Sequence, residues 1–282
     1  MSTTTHTRPA PAAPWRSAFE AHMSEMPSPE FVFASLHASP DPQTPTPYVP
    51  RLRFCIYRGM WSQLPENKHN DAPQNPRVYD SDLPTFTTDV RMEKVGELFG
   101  SGPGHASRDE QVQGSGGGGP CEAVYWIKEK GVQWRMKGTA FVVAPDIEGQ
   151  EESSGVRTVK SEIGGRMRVV EGGEEKEKDW SWGTELTGHF GNCSPGMRGS
   201  WRNPPPGTRV KGEPDQEHQL GQKVTDLHDP IARSNFRVVV IKPDEVEATD
   251  ISNPETARRH KYTFVAAAQD GKGEWTEEEL WP

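Results

Sequence analysis

The sequence is poor in cysteine, in hydrophobic residues and in basic runs. Its three cysteines, Cys55, Cys121 and Cys193, are far apart and form no Cys-x-x-Cys or Cys/His pair, so we predict neither a zinc site nor a disulfide framework. We expect reduced thiols in or near the core. The formal net charge is −9 and no dense run of lysine and arginine occurs, so a nucleic-acid partner is not expected.

Long hydrophobic stretches are missing as well. No apolar run approaches the roughly 20 residues that a membrane-spanning helix needs. The first residues lack the charged and apolar regions of a secretory signal. We therefore expect a soluble protein of the cytoplasm with no membrane partner.

Glycine and proline are abundant, with 28 and 26 residues, whereas hydrophobic residues make up only 32% of the chain. This composition favours one core with large loops over two compact domains. We predict a disordered tail over residues 1–13, which have little to bury, and a single domain over residues 14–282. Flexible insertions are expected in this domain at about 62–81, 100–120, 146–178 and 208–230.

Short strands outnumber helices in the predicted secondary structure. A helix is expected after Pro14, because Trp15, Phe19, Met23 and Met26 recur near helical spacing. Apolar patterning between turn residues predicts strands at Phe31–His37, Arg51–Met60, Leu83–Asp89, Asn235–Lys242 (closed by Pro243), Val246–Ile251, Tyr262–Ala268 and Trp275–Pro282, and a hairpin over Cys121–Val143. Many short strands with few helices are typical of a small antiparallel barrel.

Three arginines interrupt the apolar and aromatic stretch Tyr48–Trp61. A strand with one solvated face explains Arg51 and Arg53, which share parity, with Arg58 at the strand end. An anion site is the alternative, because guanidinium groups on a rigid strand suit phosphate. Arg53 and Arg58 have opposite parity, so the strand must bend near Gly59 if both are to reach one ligand.

Further polar residues allow two interpretations each. Arg91 and Lys94 follow a predicted strand and lie at the start of a helix predicted over Val90–Phe99, which fits either a phosphate site or a solvated face. Gln133 lies on the polar face of a hairpin strand and is either solvated or directed at a polar ligand. The glycine run at residues 114–119 lacks the Gly-Lys-Ser/Thr ending of a phosphate loop and is predicted to be a flexible insertion.

Three motifs follow one another in a recognisable order. They are Arg53-Phe54-Cys55-Ile56-Tyr57-Arg58-Gly59, then Phe86-Thr87-Thr88-Asp89 with Arg91 and Lys94, then Val132-Gln133-Trp134-Arg135-Met136-Lys137-Gly138. In this order they resemble the pyridoxamine 5'-phosphate oxidase-like family, most closely its subgroup of FMN-binding-domain proteins. The resemblance implies a mainly β protein, an antiparallel split β-barrel with a few peripheral helices, that binds FMN in a cleft shared by the two subunits of a homodimer.

The resemblance also implies which residues bind the cofactor. Arg53 and Arg58 match the ends of the family's Arg-x-x-x-x-Lys/Arg element, and Phe86 and Thr87 match the family's Phe/Tyr-Thr contact. Gln133 matches the family's flavin-facing glutamine. Arg91 and Lys94 resemble the cations that bind the FMN phosphate in the family. Asn192 and Ser194 lie where the family's Gln-Ser pair comes from the partner subunit.

The C-terminal part departs further from the family. Arg258 and His260 keep the Arg-x-His spacing of the family's substrate element and are the substrate-binding candidates. No tryptophan lies where the family's flavin-contacting tryptophan is expected, so pyridoxamine phosphate itself is not the expected substrate.

Flavin chemistry needs no side-chain nucleophile, and the sequence shows no Ser-His-Asp or Cys-His pattern. We therefore predict an FMN-dependent oxidoreductase acting on a small-molecule substrate. A module that holds FMN or haem without turnover is one alternative. A loop-rich interaction protein with an empty barrel is another.

Overall fold

The computed structural model describes residues 12–41, 43, 45–102, 114–149, 151–266 and 273–282. The helices of this part of the chain are α1 (Arg16–Ser24), α2 (Glu93–Gly100), α3 (Ser154–Gly164), α4 (Trp182–Gly191), α5 (Pro195–Ser200) and α6 (Pro230–Asn235). The strands are β1 (Glu30–Ala38), β2 (Tyr48–Met60), β3 (Tyr79–Ser81), β4 (Pro84–Asp89), β5 (Gly116–Ile127), β6 (Val132–Val143), β7 (Met167–Val169), β8 (Phe236–Asp250), β9 (Arg258–Ala266) and β10 (Gly273–Leu280).

The main sheet closes on itself. Its strand order is β10-β9-β8-β4-β2-β1-β5-β6, and β6 pairs back with β8, so six strands form a ring from which β9 and β10 extend. Every pairing in it is antiparallel, including the predicted hairpins β1–β2 and β5–β6. The predicted antiparallel barrel is therefore confirmed. A separate small sheet joins β3 to β7.

Aromatic side chains fill the inside of the ring. Phe31 and Phe33 of β1 pack against Phe86 of β4, at centroid distances of 5.7 and 4.8 Å, and all three are buried. Helix α1 contributes Phe19, which contacts Trp134 edge-on at 5.6 Å, while α2 packs near the start of β5 and adds its own apolar residues to the same core. The two helices thus cover opposite ends of the ring.

A second apolar layer covers the outside of β8 and its neighbours. Val238 and Val240 point outward into it, whereas Val239 points into the ring, as the alternation of a strand requires. Phe190 of α4 and Trp201, which directly follows α5, pack against Phe236 at centroid distances of 5.1 and 4.9 Å. The tryptophan-rich segment at residues 180–201 forms much of this layer.

Residues 146–178 differ from the prediction of a flexible insertion. Helix α3 lies within them and buries Val156, Val159 and Ile163 completely. The strongly charged composition conceals an amphipathic helix, since three apolar residues spaced three and four apart suffice to form one buried face. Strand β7 also lies within this segment.

Two further predictions are corrected. Residues 235–242 and 246–251 were predicted as separate strands divided by Pro243, but β8 runs through both. Pro243 lies at a bulge, since Gly138 pairs with Pro243 while Lys137 pairs with Glu245. A bulge tolerates proline because the ladder hydrogen bond is interrupted there.

The glycine run was predicted to be flexible, but residues 116–119 begin β5. Gly116 and Gly118 have φ of +151° and +97°, and a Cβ there would lie 2.7 and 3.0 Å from the rings of Phe99 and Phe141. The glycines allow these two rings to pack. Residues 103–113 of the same predicted insertion lie outside the described residues, as do residues 1–11 of the predicted tail and Ala267 and Ala268 of the predicted strand Tyr262–Ala268.

The three cysteines are free and buried. Ala13, at the end of the predicted tail, is buried and donates its backbone N–H to Asp82 at 3.0 Å. None of the helices in the described part of the chain is long and apolar enough to cross a membrane.

Candidate functional site

Two cations meet where β2, β4 and α2 come together. Arg53 lies on β2 opposite Phe33, with the same inward parity as the core residue Cys55. Helix α2 begins shortly after β4 ends, which places Lys94 in its first turn beside Thr88. The two cations with Thr88 and with Ser35, His37 and Glu97 form what we call the cation cluster.

Lys94 is the member of this cluster whose charge is least neutralised by its neighbours. Its Nζ donates to Thr88 Oγ1 at 3.1 Å, and within the described residues no carboxylate lies within ion-pair distance of it. Burial lowers the pKa of Lys94, and the positive charge of Arg53 contributes to this, whereas Cys55, Glu97 and Asp89 oppose it. An anion bound at Nζ would restore the stability of the ammonium form.

Glu97 supplies the negative charge of the cluster. Its side chain is only 2% exposed and accepts hydrogen bonds from Ser35 Oγ, from Arg53 Nη2 at 2.7 Å and, at 3.2 Å, from His37 Nδ1. Burial raises the pKa of Glu97, but the bond from Ser35 and the charge and hydrogen bond of Arg53 outweigh it, so the pKa is lowered. One carboxylate therefore faces two cations, and the cluster keeps a net positive charge.

Arg58 lies on the other face of β2. It lines a cleft of about 510 Å³ between α1, the loop after β2 and α4, together with Tyr57, Leu64, His189 and Asn192 among others. Its Nε is buried without a hydrogen-bond partner, and within the described residues it forms no ion pair. Glu20 and Glu66 also line this cleft, but neither lies within ion-pair distance of Arg58, so the guanidinium has no acidic partner among the described residues.

His189 is the second polar group of this cleft. It is 1% exposed, its ring stacks on Trp61 at a centroid distance of 5.7 Å, and its Nε2 lies 3.8 Å from Glu185 Oε1 without a hydrogen bond. Burial, reinforced by the charge of Arg58, lowers the pKa of His189 to about 3. The imidazole is consequently neutral near pH 7, and its unpartnered Nε2 is available for a hydrogen bond with a ligand.

The bend that the sequence required of β2 is present. The pairing of β2 with β4 shifts register between Tyr57 and Met60, and Gly59 has φ of +95°. A Cβ at Gly59 would also lie 2.6 Å from Pro65 Cδ, so glycine suits this position on two grounds. The bend does not bring the two arginines together, because Arg53 is bonded to Glu97 while Arg58 faces α4.

Arg91 was predicted beside Lys94 as a phosphate-binding cation, but its N–H groups already donate to other residues of the chain. It binds Asp89 through Nε at 2.9 Å and Nη2 at 2.6 Å, and it donates to the backbone carbonyls of Trp201 and Asn203. This clamp joins β4 to the segment after α5. The Arg91 guanidinium is a structural tie and is not part of the cation cluster.

The threonine of the cluster is Thr88, one residue after the predicted Thr87. Side chains alternate along β4, so Thr88 shares the inward parity of Phe86, whereas Thr87 faces Cys193 near Arg58. Phe86 itself is 0% exposed and packs in the core. The parity of Phe86 was a signal in the sequence that could have selected Thr88, whereas nothing there indicated Glu97.

Asn192 and Ser194 have structural partners within this chain. Asn192 accepts from Asn70 Nδ2 at 2.7 Å and donates to the Pro65 carbonyl at 2.9 Å, although it also lines the Arg58 cleft. Ser194 caps α5 by accepting from the Met197 N–H at 3.2 Å. A further contact to a partner subunit stays a prediction for both.

Gln133, Arg258 and His260 lie away from the cation cluster. Gln133 is on the outer face of β6, paired with Trp126 of β5. Arg258 Nε lies 2.7 Å from Glu279 and His260 Nδ1 lies 3.1 Å from Glu277, in pairs between β9 and β10. These two pairs are partly exposed and resemble ordinary surface ion pairs.

Comparison with protein-family models matches part of the sequence to one family. Residues 12–144 match the family model described as pyridoxamine 5'-phosphate oxidase, FMN-binding domain. Among curated proteins none matches the sequence significantly. The resemblance inferred from the three motifs is confirmed over this part of the chain.

One solved structure shows the same fold. A pyridoxamine 5'-phosphate oxidase-related, FMN-binding protein from Nostoc punctiforme PCC 73102 is similar with a TM-score of 0.53 and 16% identity, covering 97% of this chain and 100% of that chain. PhzG from Burkholderia lata 383, solved with tetrahydrophenazine-1-carboxylic acid, has a TM-score of 0.43 at 14% identity, covering 96% and 94%. The first of these likenesses identifies the ring of strands as a split barrel.

The buried neutral state of His189 predicts a pH effect on stability. Its pKa is about 3 in the folded protein and 6.5 ordinarily, so only the unfolded chain is protonated between these values. Stability then falls with pH below about 6.5, by up to about 1.4 kcal/mol per pH unit from this group. The free energy of unfolding of the His189→Gln variant, measured by urea denaturation from pH 7 to pH 4, should therefore fall less steeply than that of the wild type. His69→Gln, at an exposed histidine, should retain the wild-type slope; equal slopes for wild type and His189→Gln would contradict the prediction.

Proposed function

Because residues 12–144 belong to the pyridoxamine 5'-phosphate oxidase FMN-binding domain family, we propose that this protein binds FMN and uses it as an oxidoreductase. The cation cluster carries the proposal. Arg53, Lys94 and Thr88 would hold the phosphate, with Lys94 as the group that most needs an anion. Arg91 is not included, since Asp89 already neutralises it.

The donor set of the cluster fits a phosphate. A phosphate monoester is close to a dianion at neutral pH and is best bound by charge-assisted hydrogen bonds from rigid donors. Arg53 is 20% exposed at its side chain, so its guanidinium reaches the surface, and Thr88 supplies a hydroxyl next to Lys94. With Glu97 ionised the cluster still has a net positive charge, which a dianion would more than neutralise.

The substrate would bind in the cleft of Arg58. A bound flavin supplies hydride transfer, so the protein has to bind, orient and exchange protons. Arg58 lacks an acidic partner within the described residues and would bind an anionic group of the substrate. His189 is neutral there and would form a hydrogen bond with the substrate, while the ring of Tyr57 and the side chain of Leu64 would exclude water from part of the cleft.

We also propose a homodimer, on the basis of an exposed apolar face. Leu52 and Phe54 of β2 are 66% and 77% exposed, and Trp126 of β5 is 44% exposed on the same outer face. Exposed apolar patches of this kind mark interaction surfaces, and a two-fold pairing of two identical faces is the commonest solution. Gln133 borders this face through its pairing with Trp126, where it would supply amide contacts to a flavin held between subunits.

The first test is retention of the phosphate-bearing flavin. Wild-type protein should bind FMN and show flavin absorbance at about 450 nm. Lys94→Met should weaken FMN binding about 10- to 100-fold, because a charge-assisted bond to the phosphate is lost, and Arg53→Met/Lys94→Met should abolish flavin retention. Riboflavin affinity should change little in both variants, since riboflavin has no phosphate.

The matched control is Lys211→Met, which removes one exposed lysine elsewhere and should leave FMN affinity unchanged. Wild-type protein that stays colourless and does not bind added FMN would refute flavin binding. Unchanged FMN affinity in the double variant would refute only the site.

Turnover is tested with the same absorbance band. Under anaerobic conditions a reductant that transfers hydride should bleach it, and admission of oxygen or another acceptor should restore it. NADPH and a small amine substrate should be compared, because they distinguish a reductase from an oxidase. A flavin band that neither reagent bleaches would favour the alternative, a module that holds FMN without turnover.

The proposed dimer is tested by a substitution on the exposed apolar face. Phe54→Asp places a charge at the most exposed aromatic residue of that face and should shift the protein from dimer to monomer in sedimentation velocity. Val265→Asp, at an exposed apolar position on β9, serves as the control and should remain dimeric. A wild-type protein that sediments as a monomer would argue against the proposed interface.

A further inference from the structure

Glu97 lies inside the cation cluster, although the proposed function gives it no role. A carboxylate next to a phosphate site should repel the phosphate, so its presence requires a reason. Its side chain is 2% exposed, and Ser35, His37 and Arg53 together satisfy it. A fully satisfied buried carboxylate has a fixed position, which makes it a rigid anchor for the groups that it binds.

The contacts of Arg53 are distributed unevenly over its guanidinium. Nη1 donates to Ser35 Oγ at 2.5 Å and to the Arg51 carbonyl at 3.1 Å, while Nη2 donates to Glu97 at 2.7 Å. Nε has no hydrogen-bond partner in the described part of the chain, and it is accessible to solvent. Ser35 and Glu97 therefore hold the two terminal nitrogens, and the Nε side of the guanidinium remains available.

From this geometry we infer that Glu97 is a positioning residue, which holds Arg53 so that the Nε side of its guanidinium is presented to the cofactor phosphate. The inference rests on the proposed function, because it assumes that FMN phosphate binds at the cation cluster. A guanidinium binds a phosphate in a bidentate manner only when one of its edges faces the anion. Glu97 and Ser35 keep Arg53 from turning that edge away.

Positioning and repulsion make opposite predictions for the Glu97→Gln variant. Loss of the anchor frees a long side chain that the phosphate must immobilise again, which weakens binding about tenfold. Loss of the negative charge alone would tighten binding. The charge of Glu97 is already shared among three donors on the side away from Nε, so we expect the loss of order to dominate.

The experiment is a double-mutant cycle on FMN affinity. Apoprotein is titrated with FMN, and with riboflavin for comparison, in wild type, Glu97→Gln, Arg53→Met and the double variant. Glu97→Gln should weaken FMN binding about tenfold with Arg53 present and have no weakening effect when Arg53 is methionine. Riboflavin affinity should not respond. Glu93→Gln removes an exposed carboxylate from the same helix and should leave FMN affinity unchanged.

A second readout needs no cofactor. In the apoprotein the Arg53 Nε–H resonance, identified by its loss in Arg53→Met, should report a rigid side chain in wild type and a mobile one in Glu97→Gln by heteronuclear NOE.

Several results would overturn the inference. FMN binding that tightens or stays unchanged in Glu97→Gln would show that Glu97 does not position the arginine. Equal weakening in the Arg53→Met background would show that Glu97 acts without Arg53. Each of these leaves the proposed function intact, whereas wild-type protein that fails to bind FMN would refute the proposed function and this inference together.

Discussion

The pairing of β6 with β8 is the interaction on which the rest of the structure depends. It closes the sheet into a ring and so assigns every residue of six strands to the inside or the outside. Because successive side chains of a strand point in opposite directions, this assignment separates neighbours in sequence. Thr87 and Thr88 end up on different faces of β4, and Arg53 and Arg58 on different faces of β2.

The same separation creates two sites of different chemistry on one strand. Arg53 lies at the α2 end of the ring, where Lys94, Thr88 and Glu97 form a cluster with net positive charge. Arg58 lies in a cleft with a neutral buried histidine. A strand rises about 3.3 Å per residue, so the two arginines are roughly 16 Å apart along β2. That separation suits a cofactor phosphate at one end and a reacting group near the other.

The segments outside the ring stabilise the site more than their composition suggests. Residues 146–178 look like a charged loop, yet α3 within them buries three aliphatic side chains. Arg91 looks like a phosphate ligand, yet it ties β4 to the segment after α5 by binding Asp89 and two backbone carbonyls. In both cases long-range packing determines the role of residues whose local sequence favours another interpretation.

The sequence by itself determined the strand-rich fold class, the two long hairpins, a bend near Gly59 and the resemblance of residues 12–144 to the family model, because alternation, turn residues and motif order are local properties of the chain. Only the tertiary structure decided which threonine lies beside Lys94, that Arg91 is neutralised by Asp89, that β8 continues through Pro243, and that Glu97 lies behind Arg53. Each of these depends on contacts between residues distant in sequence or on the face that ring closure assigns to a strand. For the Tyr48–Trp61 stretch, the sequence predicted a strand with three cations, and ring closure placed Arg53 and Arg58 in two separate sites.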